Sequence, residues 1–373
     1  MAFALTGARV FDGEKFVAER AVIIEGTRIR DMVKDVPSGI EVLQLGGGIL
    51  APGFIDVQVN GGGGALLNEA PSVETVVRIA RSHRRHGTTG LLPTVITDAA
   101  SVLDGAIVAV KAARENEPAV LGIHIEGPFL DVERKGAHAA RFIREMTMAD
   151  VEHVADADCG AVILTLAPNK VKPELVAELA RRGVLVSLGH AEASVAEAQA
   201  ALKAGATAFT HLYNAMSQLT GRDPGMVGAA LTDDASFIGL IADGFHVHDV
   251  AMKVAIGVAG PRRIMLVSDA MSPAAGGPDT FELQGRTVRR RDGRLTLEDG
   301  GLAGSNLTMD EAVRHCVNRL GVVLEDALRM ASLTPATFLK RDGDLGRVAP
   351  GYLASLVHLD RELNVKSTWV EGA

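Results

Sequence analysis

Two textures alternate along the chain. Eight short apolar runs recur between residues 48 and 271, at 48–60, 88–95, 120–127, 161–168, 183–190, 206–214, 236–246 and 262–271. Stretches with helical spacing, such as Glu174–Arg182 and Val195–Ala204, separate most of them. Near-continuous apolar strands alternating with helices predict a parallel sheet covered on both faces. Eight repeats predict closure into a (β/α)8 barrel rather than an open sheet. The two ends read differently. Ala8–Phe11, Ala21–Ile24 and Val42–Leu45 are short strand patterns divided by the turn signals Asp12-Gly13, Glu25-Gly26 and Ser38-Gly39. Tyr352–Leu359 and Val365–Val370 share that texture. Neither end can bury a core alone, so both are expected to pair as one small β-sandwich domain. The expected division is 1–50 with 346–373 for that discontinuous unit and 51–345 for the barrel. Residues 280–299 predict a hairpin over the barrel mouth, turning at Asp292-Gly293. Residues 308–320 and 324–332 predict helices, the first opened by Thr308 with Glu311 three positions on, a capping box.

Composition narrows the partners. Lys and Arg total 38 against 46 Asp and Glu, a net charge of −8. Nucleic acid and anionic membranes are therefore poor partners, although one small anion at a local site stays open. Only Cys159 and Cys316 occur, far apart, which suits a reducing compartment and no disulfide framework. The start MAFALTGARVFDGEKF has no signal-peptide pattern, and no apolar run is long enough to cross a membrane, so a cytoplasmic chain is expected. Aromatics are only 4% while glycines number 41, so the core is expected to consist of Ala, Val, Ile and Leu between tight turns.

The polar residues inside the apolar runs sit late. Gln58 and Asn60 end the first run, Thr94 the second, and His124 and Glu126 the third. His190, His211, Asp243 with His246, and Asp269 close the fifth to eighth. Strand C-termini of a barrel share the face that carries chemistry, so these groups should converge. A single late polar residue would mark only where a strand leaves the core; a set of His, Glu and Asp on most strands asks for more. Glu126, His190 and His211 form a three-ligand set for a divalent metal with one position left for water. Asp269, preceded by the apolar stretch IMLVS, is a candidate proton acceptor. Asp56 and Asp243 are expected to be structural. The glycines at 61–64 could cradle a phosphate, but they lack a Walker pattern and a lysine. Arg222 and His246 offer donors suited to a phosphate. The basic segment 286–294 is expected to be a solvated hairpin face.

Several of these segments together resemble a known family. They are APGFIDVQVNGGGG (51–64), GIHIEGPFLDVERKGAH (122–138), LGHAEAS (188–194), FTHLYNAMSQLTGRDPGMVGAAL (209–231), LIADGFHVH (240–248), LVSDAMSP (266–273) and LAGSNLTM (302–309). In order and spacing the chain resembles the N-acetylglucosamine-6-phosphate deacetylases of the amidohydrolase superfamily. The resemblance implies a metal held by Glu126, His190 and His211, with zinc expected and iron or another divalent ion as alternatives. It implies Asp269 as general base and then acid, and His138 near the substrate's acetamide carbonyl. Arg222 and His246 match a phosphate-binding pair, and Asn214 and Ala215 match sugar contacts. Gln58 and Asn60 stand where most of the superfamily has two histidine ligands, so they mark a vestigial second metal site. The arginine is expected to reach a neighbouring subunit's site, which implies a homodimer. A deacetylase of another amino-sugar phosphate, such as N-acetylgalactosamine 6-phosphate, would share these motifs. A cyclic-amide hydrolase would want the two histidines and a bridging lysine, both missing here. An inactive barrel scaffold should have lost a ligand or the base, and all four are present.

Overall fold

The computed structural model describes residues 2–18 and 20–373; Met1 and Glu19, which fall within the 1–50 segment, lie outside the described residues. Eight strands form one parallel sheet in sequence order: β1 (Phe54–Val59), β2 (Thr88–Ile96), β3 (Gly122–Glu126), β4 (Ala161–Leu166), β5 (Leu185–Leu188), β6 (Ala208–Phe209), β7 (Phe237–Leu240) and β8 (Ile264–Leu266). The ring closes beyond the end of β8, where the Asp269 N–H donates to the Gln58 carbonyl at 2.9 Å and the Asn60 N–H to the Ala270 carbonyl at 2.9 Å. The expected barrel is therefore present, and strands such as β2 are buried over their whole length, as both-face coverage requires. The helices between strands start where local chemistry allows. Ser194 and Glu197 cap Val195–Lys203 reciprocally, and Pro173 opens Pro173–Arg181.

The terminal segments make two further sheets. Ala2–Thr6, Ala21–Glu25, Arg28–Val33 and Glu41–Gln44 form a four-stranded sheet. Arg9–Phe11, Phe16–Val17 and Ile49–Pro52 join Leu356–Leu359 and Val365–Trp369 in a five-stranded one. Leu5, Val22, Ile24 and Ile29 of the first sheet pack on Val10, Leu50 and Leu356 of the second, a sandwich with its own apolar core built from both ends of the chain. The apolar run 48–60, which reads as one strand, is two. Ile49–Pro52 belongs to the sandwich and Phe54–Val59 to the barrel, with Gly53 alone between them. A Cβ there would lie 2.1 Å from Thr89 Oγ1, so only glycine fits.

The expected hairpin is a three-stranded meander, Thr280–Leu283, Arg286–Arg291 and Arg294–Thr296. Asp292-Gly293 turns as expected, and Gln284-Gly285, with φ of 54° and 77°, supplies a second turn of the same kind. Arg289, Arg291 and Arg294 are solvated as expected. Arg286 and Arg290 instead turn inward, to the Ala137 carbonyl and to Asp279 with Asn306. The helix expected over 308–320 is α-helical only over Met309–His315, capped through Thr308 and Glu311, and continues as a π-helical turn, Cys316–Leu320. No described helix is long and apolar enough to cross a membrane.

Candidate active site

The barrel's C-terminal face holds a cavity of about 190 Å³, lined among others by Glu126, His138, His190, His211, Asn214, Ala215, His246 and Asp269. These residues are far apart in sequence and meet because parallel strands deliver their ends to one face. Three of the key residues sit in left-handed backbone, His190 at φ 49°, His211 at 32° and Asp269 at 51°. Such conformations cost non-glycine residues about 1–3 kcal/mol each and persist where the surroundings over-determine them.

Glu126 Oε1, His190 Nε2 and His211 Nε2 are mutually 3.0 Å apart and buried. The His190 Nδ1–H donates to the Arg134 carbonyl at 2.9 Å, so a neutral ring presents its Nε2 lone pair to the other two atoms. The carboxylate and the His190 lone pair are two acceptors 3.0 Å apart, and a positive centre among the three groups relieves that repulsion. A tetrahedral ion with bonds of about 2 Å would separate its donors by roughly 3.3 Å, close to the observed triangle. The residues therefore fit a divalent cation. Glu126, His138 and His190 also offer ligand atoms, all within 4.8 Å of one another. That set is wider, and the tighter triangle leaves His138 free to face the cavity.

Electrostatics separates the two carboxylates. Burial pushes Glu126 up, but the His190 and His211 imidazoles set against it outweigh that and hold its carboxyl well below the usual range. His211 is raised in turn, because Glu126 overcomes its desolvation. Burial and then the neighbouring charge of Glu126 push Asp269 up to about 6. Burial, followed by the nearby His190, lowers His138 to about 3, so its ring is neutral.

Gln58 and Asn60 serve the carboxylates as donors. Gln58 Nε2 lies 3.3 Å from Glu126 Oε1 and 3.4 Å from Asp269 Oδ1, and Asn60 Nδ2 donates to Asp269 Oδ1 at 2.7 Å. An amide N–H group has no lone pair for a cation, so as oriented the two act as hydrogen-bond donors. His246 reaches the cavity with its Nδ1 held by Asp243 at 2.7 Å, which gives Asp243 its structural part. Asp56 is fully buried, pushed up to about 7 by desolvation, and accepts the N–H groups of Gln58 and Ser268 where the barrel closes. Asn214 is tied to the carbonyls of His211 and Leu212. Arg222 is exposed in the loop after β6 and does not line its own chain's cavity. The glycines at 61–64 do not line it either. A Cβ on Gly61 would lie 2.4 Å from the Ala65 carbonyl and one on Gly62 2.5 Å from His83 Nε2, so close packing explains both.

Two participants carried no sequence signal. Thr97 Oγ1 lies 2.8 Å from His138 Nδ1 and 3.2 Å from the Glu126 carbonyl. Arg134 acts through its main-chain oxygen, which no side-chain pattern reveals. Leu302 and Gly304, within the segment LAGSNLTM, also wall the cavity.

Comparison with known proteins places the whole chain in one family. Residues 49–373 match the amidohydrolase family and residues 2–50 the NagA composite domain. The N-acetylgalactosamine-6-phosphate deacetylase of Shewanella sp. (strain ANA-3) is 43% identical over 335 residues, covering 88% of this chain and 84% of that protein. The N-acetylglucosamine-6-phosphate deacetylase of Mus musculus is 36% identical over 382 residues, covering 98% and 89%. The crystal structure of N-acetylglucosamine-6-phosphate deacetylase from Pasteurella multocida superposes with a TM-score of 0.97 at 33% identity, covering 100% of this chain and 99% of that one. The chain belongs to the amidohydrolase family, among the deacetylases of N-acetylated hexosamine 6-phosphates.

Proposed function

We propose that the chain hydrolyses the acetamide of N-acetyl-D-glucosamine 6-phosphate, releasing acetate and D-glucosamine 6-phosphate in amino-sugar breakdown or recycling. The observation that carries this reading is the Glu126–His190–His211 triangle facing Asp269 across one cavity. Glu126, His190 and His211 would hold one divalent ion, which when bound supplies Lewis-acid activation of water and of the acetamide carbonyl. Two imidazoles and a carboxylate suit zinc, with iron or another divalent ion as alternatives. Asp269 takes the proton of the attacking water, for which a carboxyl near 6 is well matched around neutrality. Neutral His138 stands beside the acetamide carbonyl and orients it, its ring fixed through Nδ1 by Thr97. Asp269 then returns the proton to the nitrogen as the C–N bond breaks. His246 and Arg222 bind the phosphate, and Asn214 and Ala215 contact the sugar, so that remote binding energy orients the amide.

A homodimer completes this site. Its support is that Arg222 stands outside its own cavity while Val250, Val254 and Val258, at 63%, 47% and 57% exposure, form an apolar stripe on helix Asp249–Ala259. Residues 1–50 with 346–373 are read as one discontinuous unit and 51–345 as the catalytic barrel. Two unpaired buried cysteines support a cytoplasmic location.

N-acetyl-D-galactosamine 6-phosphate is the second reading, favoured by the higher identity to the Shewanella enzyme, 43% against 36%. Acetate release from both phosphorylated sugars and from unphosphorylated N-acetylglucosamine, with zinc supplied, tests both. Faster turnover of the galacto epimer selects the second reading. Release from none of them with zinc, iron or another divalent ion supplied in turn makes the chain an inactive barrel.

A further inference from the structure

The barrel interior next to the donor triangle holds a second polar layer that the mechanism leaves unused. His124 on β3, Thr165 on β4, Ser187 on β5 and Thr210, one residue past β6, are all buried. Their polar atoms form a single chain. His124 Nδ1 is 2.9 Å from the Val57 carbonyl of β1, and His124 Nε2 is 2.8 Å from Thr165 Oγ1. Thr165 Oγ1 is 2.7 Å from Thr210 Oγ1, which is 2.6 Å from Ser187 Oγ.

Valence fixes every proton in this chain. A carbonyl only accepts, so His124 Nδ1 carries its hydrogen. A buried, uncharged ring then accepts at Nε2, and Thr165 must donate to it. A hydroxyl has one hydrogen, so Thr210 donates to Thr165 and Ser187 to Thr210. The chain thus runs one way and couples five of the eight strands from inside the barrel. Three of its members stand beside the metal donors in sequence. Glu126 is two residues after His124 on the same face, His211 directly follows Thr210, and His190 is three residues beyond Ser187. Backbone ladders align neighbouring strands along their length; a cross-barrel chain also fixes how closely their ends approach.

We propose that His124, Thr165, Thr210 and Ser187 are positioning residues, an interior hydrogen-bond chain that holds the strands bearing Glu126, His190 and His211 at the spacing a divalent ion needs. The proposal rests on the metal reading given above. Its test is zinc affinity of the metal-stripped chain, measured by competition with a chelating dye, alongside thermal unfolding of the stripped chain. Thr165→Val keeps the shape and leaves His124 Nε2 without a donor; its zinc dissociation constant should rise about 10-fold. Thr165→Ser restores the hydroxyl and should stay within about 2-fold of the parent, with KM for the sugar phosphate unchanged in both at saturating zinc. Equal zinc affinity of Thr165→Val and parent overturns the proposal, as does an equal loss in Thr165→Ser. Should Thr165→Val fail to fold, Ser187→Ala removes only the last donor and should weaken zinc about 3-fold; an unchanged affinity there also overturns it. A parent chain that holds neither zinc nor iron nor another divalent ion overturns the metal reading itself, and this proposal with it.

Discussion

The sandwich core and the barrel mouth solve opposite problems within one chain. The sandwich buries Leu5, Val10, Val22, Ile24, Leu50 and Leu356 with no ionisable group among them. The mouth buries Glu126 and three imidazoles, half-buries Asp269, and bends its backbone through left-handed conformations at His190, His211 and Asp269. One region gains stability from every residue it covers. The other carries desolvated charge and strain that the remaining fold must hold in place. Substitutions should therefore separate rate from stability according to region.

The largest effect is expected at the mouth. Asp269→Asn keeps the shape and the bulk of the side chain but cannot take a proton. Acetate release should fall at least about 10³-fold, while the unfolding midpoint stays the same or rises because a half-buried carboxylate is gone. Near-normal turnover would break the assignment. The sandwich should show the reverse. Leu356→Ala, at a fully buried site, should cost about 3 kcal/mol of stability, with kcat/KM of the folded protein within about 2-fold of the parent. A collapse of activity with intact folding would show that the two regions are coupled. Arg222→Ala comes next: about 30-fold lower kcat/KM on the phosphorylated sugar, roughly the worth of one charge-assisted contact, and little change on the unphosphorylated one. Equal losses on both would remove Arg222 from phosphate binding.

The smallest effect lies where the regions touch. Glu14, in the sandwich half of the chain, accepts from Arg329 at 2.9 Å and Arg347 at 2.8 Å, and these partners lower its carboxyl to about 2. A lowered folded-state value stabilises the protein above the ordinary value of 4.5, and that contribution is lost as pH falls from 4.5 towards 2. Glu14→Gln should cost about 1 kcal/mol near pH 7, since Glu14 is partly exposed, and progressively less near pH 3. A pH-independent difference would assign the contact to packing.

The same contrast explains what could be read from the sequence. Apolar runs and turn pairs such as Asp292-Gly293 are local signals, and the barrel, the sandwich strands and the capped helices follow from them. Glu126, His190, His211 and Asp269 were legible because each falls late in an apolar run. The division of 48–60 at Gly53 was not, because two successive buried strands look like one when the break is a single glycine. Gln284-Gly285 was missed because a left-handed glutamine carries little turn signal of its own. Thr97 and the Arg134 carbonyl take their roles from neighbours that only the closed barrel supplies.

The single glycine between Ile49–Pro52 and Phe54–Val59 has a mechanical consequence. Its N–H is bonded to the Ser355 carbonyl at 2.9 Å, and Thr89 stands against its α-carbon. The central strand of the sandwich thus runs into the first stave of the barrel with no slack. Bending the two bodies apart at this crossing would mean breaking the bond from Gly53 to Ser355 and pulling Gly53 away from Thr89. Any change in the cavity's opening then falls to the loops that line it, such as the one bearing Gly136 and His138, with the sandwich serving as an anchor.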